Sequence, residues 1–303
     1  EQDSEAQSDD EQGTSKPLEE NNEPYVSSLT YVYVKSSELS ENTQVVGRPV
    51  TIDVLAEFDN GETAPFNDHV TWKFVRNENS QLMVNDNNQL VARAPGQYIV
   101  NASYRGIFTP DIPILITHSP TVCGGSLNYF GRNVENCLKI VTGIEGEARG
   151  KYFTAPPHKS VMTMLGYKED NTSQNAHYSY AMMSPDFSNT SYPVYGGRGP
   201  FPHALMRSDG RRGMSQAARY CADLASIKFN QRDNWRLPAL DELVDLASST
   251  EMMTTYDWPG NGMYLSSDHC EVESVVSSIL IYRPNVTEFV SPSRMGYVSC
   301  VSD

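Results

Sequence analysis

"DNWRLPALDELVDLAS", residues 233–248, places a Trp and an Arg directly before Leu-Pro and an acidic, apolar-periodic run directly after it. Leu240, Leu243, Val244 and Ala247 recur at i, i+3, i+4 and i+7, which is one face of an α-helix. Asp241 and Glu242 fall in its first turn, where the helix dipole favours carboxylates. Pro238 sits at or just before the helix start, where its missing N–H would have no partner. Trp235 is expected to be a core aromatic, and Arg236 has Asp241 and Glu242 within reach as acidic partners. The stretch reads as a structural latch that starts a helix and not as a ligand-binding loop.

The surroundings agree. "GMSQAARYCADLAS" (213–226) reads as a helix with Ser215 as N-cap and a stripe of Met214, Ala218, Cys221, Leu224 and Ala225. "GMYLSSD" (262–268), "VSSILIYR" (276–283), "VTEFVS" (286–291) and "GYVSCV" (296–301) read as strands. Residues 119–212 are rich in Gly, Pro, Ser, Asn and Tyr. There "KIVTGI", "KYFTA" and "HYSYAMM" are candidate strands, and "NTSYPVYGGRGPFPHAL" (189–205) is an irregular, aromatic loop.

The N-terminal part obeys a different period. "SLTYVYVK" puts Leu29, Tyr31 and Tyr33 on one face. In "PVTIDVLAEF", Val50, Ile52, Val54, Ala56 and Phe58 alternate with polar or exposed positions. "DNG" (59–61) and "APGQ" (94–97) are turn signals. "HVTWKFV" should point Val70, Trp72 and Phe74 inward, and "QLMV", "NQLVA" and "QYIVNASY" complete the set. Short strands at this density over residues 26–118, with no helical period, predict a β-sandwich.

Residues 1–24 carry nine acids against Lys16, a net −8 of the chain's −15. Residues 1–25 therefore read as a disordered acidic tether. The acidity excludes nucleic acid as a partner, since phosphate binding needs clustered Lys and Arg. The six His are scattered, no CxxC pair occurs, and nothing resembles GxSxG, HExxH or a P-loop, so neither an enzyme nor a metal site is expected. Four of the five Cys are expected to form two disulfides, which fits an oxidising compartment. Cys123 and Cys137, across a Gly-rich segment, are a local pair. Cys270 is left over: free, paired elsewhere, or displacing one of these pairings.

"VGRPVTIDVLAEFDNGETAPFNDHVTWKFV" and "NQLVARAPGQYIVNASYRG" resemble the bacterial Ig-like domains strung along intimin- and invasin-like adhesins. The shared features are the Gly before the second strand, the DNG turn, the "VTW" strand and the G-x-Y-x-V-x-A-S-Y final strand. What the resemblance implies is a spacer on a cell surface. "AARYCADL", "NWRLPALDELVDL", "MYLSSD" and "YVSCV", in this order, resemble the bacterial family named after the C-terminal domain of a collagen-like adhesin, which has a C-type-lectin-like fold. This chain departs from that family's usual Thr, Trp and Arg at Ala239, Leu265 and Ser299. The resemblance implies a Cys221–Cys300 disulfide from the first helix to the last strand.

The expected architecture is mainly β with an α+β part: an Ig-like β-sandwich at 26–118, then a C-type-lectin-like domain at 119–303 with two helices, a strand-rich remainder and long loops at 119–212. The expected function is that of a bacterial cell-surface adhesin or receptor-binding module, with a host surface protein or glycan as partner. Alternatives are a phage or secretion-apparatus fibre tip, and a lectin-fold enzyme of the formylglycine-generating type, with which "RLPALDELVDLA" shares only RLP. Localisation is the bacterial surface or the secreted fraction, with membrane contact only through an anchor outside this chain. Candidate ligand-binding residues lie on two aromatic loops: Tyr192, Tyr195, Arg198, Phe201 and His203 on one, Tyr256, Trp258, Asn261 and Tyr264 on the other. Aromatic and Arg side chains suit sugar stacking and protein hot spots. No cofactor is expected, with calcium left open only at a different site among the Asp and Asn residues of the loops. Calcium through an EPN/WND-type site is not expected, because "RPN" (283–285) puts Arg283 where a carboxylate ligand should stand and no WND follows.

Overall fold

The computed structural model describes residues 24–35, 37–132, 134–176, 178–184, 203–210, 214–260, 262–269, 276–280, 283–291 and 293–303. The acidic segment 1–23 and Cys270 lie outside the described residues. Strand outweighs helix, 38% to 20%, in several small sheets, and among the described residues no helix is long and apolar enough to cross a membrane.

The first ten strands are β1 (Val26–Tyr33), β2 (Thr43–Val45), β3 (Ile52–Phe58), β4 (Thr63–Pro65), β5 (Thr71–Arg76), β6 (Leu82–Val84), β7 (Leu90–Ala92), β8 (Gly96–Tyr104), β9 (Ile107–Phe108) and β10 (Ile112–Thr117). One sheet has the order β1-β3-β4 and the other β2-β10-β8-β5, with β9 paired to the end of β8 and a β6-β7 hairpin beside them. Alternation sets the register: Leu29 lies opposite Ala56 and Tyr31 opposite Val54, and a slip of one residue would turn every one of these side chains to water. Val50, Ile52, Val54 and Ala56 join Trp72, Leu82, Leu90, Val100 and Ile114 in one apolar core. Each large side chain removed from water there stabilises by about 1.5–3 kcal/mol. One expected position is wrong: Phe74 is 42% exposed. Phe74 lies opposite Val100 in the same β5–β8 register that pairs Trp72 with Ala102, and the register shifts only after it, between Phe74 and Arg76; the core on this face of β5 ends at Trp72.

The rest of the chain builds two large cores on the two sides of shared strands and a small third cluster of Cys123, Val134 and Cys137. Ile140 and Val298 face the first, with Cys221 and Cys300; Val141, Tyr297 and Val301 face the second. The last strand, Val301–Ser302, pairs antiparallel with Tyr152–Thr154, which pairs with Ile140–Thr142. Four helices are described: α1 (Lys159–Met164), α2 (Gln216–Ser226), α3 (Leu240–Ser249) and α4 (Met252–Tyr256). The sequence contained no clear sign of α1. Ser215 caps α2, its side chain accepting from Ala218 N–H at 3.0 Å. The buried face of α2 is Ala217, Tyr220, Cys221 and Leu224, with the polar Gln216 and Asp223. Met214 is 46% exposed and Ala218 and Ala225 are only partly buried, so the expected stripe is rotated. Both expected disulfides are present, Cys123–Cys137 and Cys221–Cys300.

The opening stretch spans both of these cores. Trp235 and Leu237 enter the first, where the Trp235 indole N–H donates to the Phe229 carbonyl at 2.8 Å. Leu243 and Leu246 enter the second. Arg236 pairs main chain to main chain with Val301 and reaches both Glu242 carboxylate oxygens at 2.7 and 2.8 Å. Lys151 reaches Glu242 at 2.7 Å, and Ala239 N–H donates to it at 2.7 Å. Burial pushes the Glu242 carboxyl up, but these donors outweigh burial and hold it at about 2. Ala239 has no hydrogen-bonding side chain for the helix start; the Asp268 carboxylate, from the neighbouring strand, accepts from Leu240 N–H instead.

The sandwich and the rest of the chain meet through Val45, which packs into the first of these cores, through Glu38 N–H, which donates to the Gly166 carbonyl, and through a buried arginine. Arg48, at 0% exposure, gives two hydrogen bonds to Asp223 on α2, at 2.9 and 2.6 Å, and further ones to the Leu165 carbonyl and Gln44. Its guanidinium lies 3.7 Å from the centre of the Tyr178 ring, and Tyr167 O–H donates to Asp223 at 3.1 Å. This explains why a charged residue sits on the buried face of α2. Gly47 beside it has φ +84°, and a side chain there would meet Ile227 backbone at 2.7 Å. The glycine before β3 is thus required for close approach, not only for a turn.

Candidate functional site

The expected site residues fall into three placements. Tyr192, Tyr195, Arg198, Phe201 and Asn261 lie outside the described residues. Trp258 and Tyr264 are fully buried and His203 is 4% exposed; these three are core packing and not an exposed contact surface. Tyr256 is partly buried against the second core.

The reason lies in the turn after α4. Asp257 takes a left-handed backbone conformation, φ 58°, which Asp tolerates better than most residues. Lys139, 3% exposed, donates to the Tyr256 carbonyl at 2.8 Å and sits 3.3 Å from the Asp257 carboxylate. A buried ammonium needs such partners, and they pin the turn so that Trp258 points into the core. Its ring stacks on Tyr264 at 5.8 Å and 16°, and the Tyr264 hydroxyl donates to the Pro259 carbonyl at 2.9 Å. Burial, with Tyr297 adding to it, pushes the Tyr264 hydroxyl well above its ordinary range.

Tertiary structure nevertheless joins the two aromatic segments. Tyr297, absent from the expected set, lies 5.4 Å from Tyr264 and 6.2 Å from His203, and His203 lies 4.1 Å from His158. The result is a row of five rings, Trp258, Tyr264, Tyr297, His203 and His158. Burial, and then the charge of Lys139, lower His158 to about 4, so it is neutral at physiological pH and acts in the row as an uncharged ring.

His158 also lines a cleft of about 950 Å³. Lys159, Thr163 and Met164 of α1 form part of it, Arg132 and Val134 come from the loop closed by Cys123–Cys137, and Leu39 and His118 come from the sandwich and its end. The disulfide cross-links that loop, and Asn136 N–H donates to the Ser160 hydroxyl of α1 at 3.3 Å. In the same loop Phe130 is 75% exposed, the most exposed large apolar side chain among the described residues. Sequence reasoning passed over this loop; the available signal was the local Cys pair, which holds a loop in one shape before any ligand arrives. Among the described residues no group of three His, Cys, Asp or Glu could hold a metal ion.

No family model matches this sequence, and no curated protein matches it. Among solved structures, the chain is similar to the Yersinia pseudotuberculosis adhesin InvE, at 12% identity and a TM-score of 0.34, over 91% of this chain and 70% of that one. It is also similar to the S-layer protein rSbsC, at 13% identity and a TM-score of 0.23, over 43% of this chain and 18% of that one.

Proposed function

We propose that this chain is a bacterial cell-surface adhesin or receptor-binding module: an Ig-like spacer at 26–118 that presents a C-type-lectin-like tip at 119–303. The observation that carries this reading is the buried Arg48–Asp223 contact between them. It fixes the tip on the spacer in one orientation, as a module that hands force or reach to a binding end requires. The four ordered C-terminal motifs and the Cys221–Cys300 link from α2 to the chain end support the tip. Two disulfides suit an extracellular, oxidising location. The partner is a host surface protein or glycan, met by the segments that carry Tyr192, Tyr195, Arg198 and Phe201 on one side and Tyr256 on the other.

The test is a panel of glycans and host surface proteins, probed with and without calcium, using the parent chain and the Tyr195→Ala and Tyr256→Ala variants. A bound member whose signal drops in either variant supports the site. Binding that both variants keep would move the site elsewhere, and a panel without any binder would count against the adhesin reading. A light-scattering mass of a trimer would favour a fibre tip instead.

A further inference from the structure

We propose that the cleft between α1 and the Cys123–Cys137 loop binds an acidic peptide segment of a partner protein, with an apolar side chain of the peptide in the cleft and its carboxylates on the rim. The proposal names a second contact surface, distinct from the aromatic loops, and stands apart from them in its test.

Charge is the first argument. The chain carries −15, yet the cleft is lined by Arg132 and Lys159 against one carboxylate, Glu135. Arg132 and Lys159 are exposed, and neither forms an ion pair among the described residues. A local excess of cations on an acidic protein selects an acidic partner and repels a basic one. Arg132 also offers the planar fork that takes a carboxylate through two hydrogen bonds.

Shape and surface are the second argument. About 950 Å³ is at the upper end of ligand-site volumes, enough for a short segment and not merely one side chain. Leu39, Val134 and Met164 give the cleft aliphatic surface. Sugars are met by aromatic platforms, and the rings that could serve, Trp258, Tyr264 and Tyr297, are buried away from it. Aliphatic lining beside Arg132 is instead the composition of a protein-contact hot spot, and the loop that supplies Arg132 also carries the exposed Phe130. The disulfide and the Asn136–Ser160 hydrogen bond hold the loop in place beforehand, which lowers the ordering cost of binding.

The experiment is fluorescence anisotropy on the whole chain with three labelled peptides: one alternating Asp/Glu with Leu/Phe, one with Lys replacing each acid, and one with Ser replacing each apolar residue. An oligouronate serves as the acidic glycan arm. The acidic, apolar peptide is expected to bind, more weakly as salt rises, and the other two peptides to bind at least about tenfold less well. Arg132→Glu with Lys159→Glu should weaken it about tenfold or more, while Tyr195→Ala and Tyr256→Ala leave it unchanged. Circular dichroism checks folding, and Arg132→Gln with Lys159→Gln replaces the reversal if that variant unfolds. Equal binding of the acidic and basic peptides, no effect of either cleft variant, or preference for the oligouronate would each overturn the proposal. Loss of panel binding in the aromatic-loop variants with peptide binding intact separates this site from the proposed adhesive one.

Discussion

The two parts of this molecule hold together by different means. The sandwich core is a set of apolar side chains delivered by period-2 strands, and the one buried charge among the described residues of the sandwich, Arg48, is buried against the other part. The C-terminal part buries Lys139, Arg207, Asp223 and Glu242 and is crossed by two disulfides. Where strands are long and regular, alternation alone segregates apolar from polar side chains. Where the chain has many loops and short strands, covalent and ionic cross-links take over, some local, such as Arg207–Asp209, and some far apart in sequence, such as Lys151–Glu242 and Cys221–Cys300.

That contrast can be broken most severely at Cys221. Replacing Cys221 and Cys300 by Ser opens a 79-residue separation, for which chain entropy predicts a loss of about 4–5 kcal/mol. The loss should fall on the C-terminal part alone. The three Trp allow a check: Trp72 reports on the sandwich, Trp235 and Trp258 on the remainder. Fluorescence during denaturant unfolding should split into two transitions, the sandwich last. A single transition at unchanged midpoint would contradict the division of labour.

Arg48→Met comes next. It strands the Asp223 carboxylate at 2% side-chain exposure, a cost of about 3–5 kcal/mol, and should uncouple the two parts. Adding Asp223→Leu should recover part of this, because an apolar pair replaces an uncompensated charge. A double variant no better than the single one would deny that the buried charge is the cause.

Glu242→Gln should cost about 1.5–3 kcal/mol at neutral pH. The Glu242 carboxyl lies at about 2, below its ordinary 4.5, so its contribution is complete above pH 4.5 and disappears as pH falls towards 2. Parent and variant stabilities should therefore converge in acid. His158 works in the same sense from another cause. Its pKa of about 4 against an ordinary 6.5 favours protonation of the unfolded chain, so stability drops as pH falls from 6.5 to 4. His158→Gln should flatten that interval in pH-dependent melting.

The smallest effect sharpens the comparison on the sandwich side. Phe74→Thr, at an exposed position, should change stability by within about 0.5 kcal/mol, whereas Trp72→Ala should cost about 3–5 kcal/mol. Two aromatics one alternation apart would then differ by their burial.

Legibility followed the same division. β1, β3 and β8 were readable because period 2 is local, and α2 and α3 because capping and the 3.6 period are local too. Phe74 was misread because alternation assigns a face but not how far along β5 the core reaches. The stripe of α2 was misplaced because Asp223 counts as a surface residue until Arg48 is brought to it. Trp258 and Tyr264 looked like ligand contacts because composition does not reveal that Lys139 holds their turn inward. Phe130 and Arg132 were missed because a loop's exposure and the cleft beside it depend on how α1, the disulfide loop and the sandwich end pack.

By itself, the sequence determined the mainly β class, the alternating sandwich, the two helices of the "DNWRLPALDELVDLAS" region and the Cys pair at 123 and 137. These rest on interactions within a few residues. Only the tertiary structure decided which charges are buried, that Arg48 joins the two parts, that five rings from distant segments form one row, and that a cation-rimmed cleft opens at its end. Those depend on contacts between residues up to 175 positions apart, and such contacts exist only once the chain has closed on itself.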